Sequence, residues 1–118
     1  MEGIAALYSG VIDTHCHLTF PDYAGRIDEV LADAASLGVT GAISIATTTQ
    51  DSLDTLRLAR EHEQVWCSVG VHPLYSDKGP HDWNVLRQHA KDPKCVAFGE
   101  LGLDNHYDKP PKPIQHSV

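Results

Sequence analysis

The sequence is short of cysteine, of basic residues and of long apolar runs, and each shortage excludes a class of protein. Cys16, Cys67 and Cys95 are odd in number, widely spaced and without a CxxC pair. They read as reduced thiols rather than a disulfide framework, which makes a reducing cytosol the expected compartment. Met1 to Tyr8 lacks the basic start and apolar centre of a signal peptide, and no later stretch is long enough to span a bilayer. A cytoplasmic protein with no membrane partner is therefore expected. Only 9 Lys and Arg face 16 Asp and Glu, for a net charge of −7, which argues against a broad phosphate-binding surface. Contact with phosphate would need metal ions, because a bound cation is often the largest charge in its site.

What remains is an ordinary globular composition. At 118 residues the chain has the length of one domain, residues 1–118, able to bury roughly two-thirds of the surface its unfolded form exposes. Val11 to Leu18 opens as a strand. Arg26 to Leu37 reads as a helix, with Ile27, Val30, Leu31, Ala34 and Leu37 at helical spacing and Gly38 as the stop. Val39 to Ala46 has strand length, and Thr47-Thr48-Thr49 followed by Asp51 supplies an N-cap and a first-turn acid for a helix to about His62. Val65 to Val71 is the third strand and Asp82 to Lys91 the third helix, stopped by Asp92-Pro93. Cys95 to Glu100 is the fourth strand. Asp108 to Pro113 is too rich in proline for regular structure, and Ile114 to Val118 has room to open another helix. This alternation implies a parallel α/β sheet with right-handed crossovers, its strands buried on both faces.

The chemistry gathers at the strand ends. Alternation along Val11-Ile12-Asp13-Thr14-His15-Cys16-His17 sets His15 and His17 on one face, with Asp13 able to join them, and turns Cys16 toward the core. Two convergent imidazoles are the start of a transition-metal site. His72 follows the third strand and Glu100 ends the fourth. A carboxylate there is costly unless paired or bound to metal. Ligands of parallel α/β folds bind at the carboxyl ends of strands, so these four residues are expected on one rim. His62, His81, His89, His106 and His116 read as surface residues.

Together, Ile12-Asp13-Thr14-His15-Cys16-His17-Leu18, Gly70-Val71-His72-Pro73 and Gly99-Glu100-Leu101-Gly102-Leu103-Asp104 resemble the TatD family of metal-dependent deoxyribonucleases. That resemblance implies a TIM (β/α)8 barrel with two divalent metal ions (Mg, Mn or Zn) and DNA as substrate. Carried over motif by motif, His15 and His17 hold one metal and Glu100 bridges both. Glu100 and His72 serve catalysis, while His72 and Asp104 contact substrate. A complete barrel needs about 250 residues, so the chain is expected to be a partial barrel of about four βα units, the N-terminal half. The family's later histidines and aspartate have no counterpart in it. An open half-barrel exposes edge strands and an apolar interior, which points to a homo-oligomer. The alternative function is a catalytically inactive remnant that binds metal or acts as an oligomeric structural protein.

Overall fold

The computed structural model describes residues 10–107 and 109–118. The expectation for Met1 to Tyr8, and the share of the proline-rich stretch that falls on Asp108, lie outside the described residues. Four strands form one parallel sheet in the order β1-β2-β3-β4: β1 (Val11–Cys16), β2 (Val39–Ser44), β3 (Val65–Val69) and β4 (Cys95–Phe98). Helix α1 (Ile27–Ser36) connects β1 to β2, α2 (Thr49–Glu61) connects β2 to β3, and α3 (Trp83–His89) connects β3 to β4. A last short helix, α4 (Lys112–Ser117), follows β4.

Local chemistry sets the helix boundaries. The chain leaves α1 through Gly38, whose φ of 91° is one that side chains rarely adopt. The Thr48 hydroxyl accepts the Asp51 N–H to start α2, and the Asp82 carboxylate accepts the Val85 N–H to start α3. The helices pack their apolar stripes onto the sheet in two clusters. Leu18, Leu31, Ala42, Leu56, Ala59, Val65 and Cys67 form one, and Val69, Val71 and Leu86 the other. Leu56 and Leu86 are fully buried, each contributing about 1.5–3 kcal/mol by leaving water.

Three expectations need correction. Only β2 and β3 are largely buried; Val11, Ile12, Val96 and Phe98 on the outer strands are 44–52% exposed, because an edge strand has one neighbour. Helix α4 begins at Lys112, inside the stretch expected to be irregular, with Pro113 in its first turn. Proline is tolerated there because a first-turn N–H has no partner within the helix. Of the five histidines read as surface residues, His106 and His116 are exposed but His62, His81 and His89 are half-buried. Nδ1 of His62 bonds the Leu58 carbonyl and Nε2 the Asp28 carboxylate, both at 3.0 Å.

Candidate metal centre

The site lies past the carboxyl ends of the strands, and Glu100 is its hub. Its Oε1 is 3.7 Å from His15 Nε2 and 3.7 Å from His72 Nε2, and its Oε2 is 3.8 Å from His17 Nε2. The four residues come from the ends of three strands, as the order of elements implied. These separations are too long for hydrogen bonds. They are near the roughly 3.4 Å that separates two ligands on one tetrahedral ion with bonds of about 2.1 Å. The ligand atoms of His15, His17 and Glu100 all lie within 4.8 Å of one another.

Three consecutive carbonyls hold this arrangement. Past the end of β2, the Ile45 oxygen faces His17 Nδ1 at 2.9 Å, the Ala46 oxygen accepts the Glu100 N–H at 2.9 Å, and the Thr47 oxygen accepts the His72 N–H at 2.8 Å. Ser68, buried in β3, fixes the same strip from the other side: its hydroxyl accepts the Ala46 N–H at 3.2 Å and donates to the Gly99 carbonyl at 2.8 Å. Gly70 leaves room for this crossing. A Cβ there would stand 2.7 Å from the Gly99 carbonyl carbon and from the Glu100 oxygen.

The hydrogen bonds also assign tautomers, since a neutral imidazole has one donor and one acceptor nitrogen. His17 Nδ1 must donate to the Ile45 carbonyl, which leaves the Nε2 lone pair free toward Glu100. Such a backbone bond on the far nitrogen is the usual support of a metal-binding histidine. His72 is the reverse. Its Nδ1 accepts the Leu74 N–H at 3.0 Å, so in the neutral ring Nε2 carries the proton and faces Glu100 as a donor. His17 is half-buried and stacks on Phe20, with ring centroids 4.5 Å apart and planes 9° apart; His15 is exposed.

Two other residues named from the sequence sit differently. Asp13 does not join the histidines: its carboxylate accepts the backbone N–H of His15 at 3.0 Å. The Asp104 carboxylate accepts the N–H groups of His106 and Tyr107 at 3.1 and 2.7 Å and so shapes its own loop. Cys16 turns inward, where its thiol bonds the Ile43 carbonyl at 3.4 Å and packs against the core. Burial, with the charge of Asp13 beside it, pushes that thiol up to about 11.

The family model described as TatD related DNase matches residues 12–118. The chain belongs to the TatD family. It is 40% identical over 100 residues to the uncharacterized metal-dependent hydrolase YcfH of Escherichia coli K12, covering 82% of this chain and 37% of that one. It is 35% identical over 95 residues to a protein of Enterobacter lignolyticus named 3'-5' ssDNA/RNA exonuclease TatD, covering 80% and 36%. Among solved structures, the TatD homolog YJJV of Escherichia coli K12 superposes with a TM-score of 0.77 at 34% identity, over 91% of this chain and 42% of that one. The four parallel strands alternating with helices therefore match part of that fold. The chain spans about two-fifths of the length of the relatives it matches.

The strip at residues 45–47 and the network behind it escaped the sequence reading, which took Asp51 only as a first-turn acid. Backbone carbonyls carry no residue-type signal. An Asp three residues after a helix-capping Thr is equally suited to that ordinary role.

Proposed function

We propose that this chain is a metal-dependent hydrolase acting on phosphodiester bonds of DNA. The observation that carries this reading is the convergence of His15 Nε2, His17 Nε2 and the Glu100 carboxylate on one point. The donor set fits a divalent ion: neutral imidazole and carboxylate suit Zn or Mn, and phosphoester chemistry adds Mg. His15 and His17 would hold one ion. Glu100 turns one oxygen toward His15 and the other toward His17, as a carboxylate shared by two ions would. A bound pair of such ions supplies charge neutralisation at the phosphate and a water acidic enough to act as nucleophile at neutral pH.

The chain's own residues supply the rest. His72 presents an N–H donor to a phosphate oxygen, which an acceptor nitrogen could not hold. Asp104, through the loop it shapes, stands in the motif that reaches substrate. The relative named as an exonuclease supports a nucleic-acid substrate, and metal ions reconcile that substrate with a charge of −7. Cys16, Cys67 and Cys95 are free thiols, which supports the cytoplasm. Among the described residues no helix is long and apolar enough to cross a membrane.

A second reading rests on the exposed edge residues Val11, Ile12, Val96 and Phe98: a protein that binds metal without turnover and associates through its open sheet. Calorimetry with Mn²⁺ or Zn²⁺, run beside cleavage of end-labelled single-stranded DNA, separates the two. Binding and cleavage that both vanish in His17→Ala and Glu100→Ala support the hydrolase. Binding without cleavage selects the second reading, and absence of binding removes both.

A further inference from the structure

Asp51 lies in the first turn of α2 and bonds two strand-end loops at once. Its Oδ1 accepts the Thr19 hydroxyl at 2.5 Å. Its Oδ2 accepts the Thr47 N–H at 2.9 Å and the Thr47 hydroxyl at 3.2 Å. Thr19 is two residues beyond His17, in the turn closed by the bond from Phe20 N–H to the His17 carbonyl at 3.2 Å. That turn brings the Phe20 ring flat against His17. Thr47 is the residue whose carbonyl receives the His72 N–H.

One carboxylate thus reaches a metal-facing imidazole through Thr19 and a substrate-facing imidazole through Thr47. We propose that Asp51 is a positioning residue, which couples the orientation of His17 to the placement of His72 without touching metal or substrate. The inference rests on the reading of those histidines given above. It adds that the two are set by a shared support rather than separately. Half-buried and holding three hydrogen bonds, the carboxylate has no slack: a displacement of the Thr19 loop reaches the Thr47 backbone. Supporting groups of this kind typically change metal affinity by about 10- to 100-fold.

The test reads the metal-free chain first. Side-chain nitrogen shifts report the His17 tautomer, and amide exchange reports the His72 N–H. Asp51→Ala is expected to turn His17 from a single Nδ1–H tautomer into a mixture and to speed exchange at His72, leaving the β3 amide of Cys67 protected. Thr19→Val should move His17 alone. Asp51→Asn should restore both, because its amide oxygen can serve Thr47 and its NH₂ the Thr19 hydroxyl. In Zn²⁺ calorimetry, Asp51→Ala is then expected to bind about 10- to 100-fold more weakly than the wild type, with Asp51→Asn within a few-fold.

Unchanged His17 and His72 signals in Asp51→Ala overturn the proposal. So does a loss of protection that falls equally on Cys67, which marks general destabilisation. Should Asp51→Ala not fold, an unmoved His17 tautomer in Thr19→Val overturns it instead. A wild-type chain that shows these tautomer effects but binds no Zn²⁺ retires the metal reading and leaves the coupling standing.

Discussion

Gly70→Ala tests how tightly the site is built. The added Cβ would sit 2.7 Å from the Gly99 carbonyl carbon, 2.7 Å from the Glu100 oxygen and 2.8 Å from the Gly99 oxygen, where ordinary contact starts at 3.4 Å. One of the two backbones must therefore move by about 0.7 Å, and neither is free. The Gly70 N–H donates to Ser52 Oγ at 3.1 Å. On the other side, Gly99 N–H donates to Val69 O at 2.8 Å and Glu100 N–H to Ala46 O at 2.9 Å. Overpacking costs about 1–3 kcal/mol, and one surrendered hydrogen bond adds about 1 kcal/mol. The expected loss is thus about 2–4 kcal/mol, a fall in Tm of roughly 8–16 °C for a chain of this size. Because the displaced segment carries Glu100, affinity for Mn²⁺ should fall about tenfold or more in calorimetry on the folded fraction. Gly99→Ala is the internal control, since its Cβ would meet only Ser68 Oγ, at 4.0 Å. Equal melting and equal metal affinity for Gly70→Ala and the wild type would refute the packing argument.

Two other predictions concern titrating groups. Beside the buried Cys67 thiol, with which it pairs in register across β3 and β4, the Cys95 thiol is lowered to about 7. At pH 7.5 iodoacetamide should alkylate Cys95 about 100-fold faster than Cys16, held near 11, and Cys67→Ser should slow it; peptide mapping by mass spectrometry reads both. His62 is raised above its ordinary 6.5, mainly by the Leu58 carbonyl and then by the Asp28 carboxylate. A raised pKa in the folded state stabilises most below 6.5 and fades as pH rises through the higher folded value. Urea unfolding of wild type and His62→Asn should therefore diverge most near pH 6 and converge toward pH 8.

The rim was legible because the alternation of strands and helices places strand ends together whatever lies between them. His15, His17, His72 and Glu100 each follow an apolar run, and that placement sufficed to gather them. Asp13 was misplaced because alternation predicts a side, not a partner, and the neighbouring His15 N–H captured its carboxylate. The exposed faces of β1 and β4 were illegible for a different reason. Apolar content says that a strand is suited to burial, whereas its place in the sheet decides whether anything covers it. Pro113 was misread because proline disrupts a helix interior but not a first turn.

The strip at Ile45, Ala46 and Thr47 bears on how the site tolerates change. Each oxygen serves a different residue, from beyond β1, from beyond β4 and from beyond β3, and the assignment depends on their succession rather than on their side chains. One residue inserted or deleted there would hand every carbonyl to the wrong recipient and scramble His17, Glu100 and His72 together. The spacing of the loop after β2 is thus as much a part of the candidate site as the histidines.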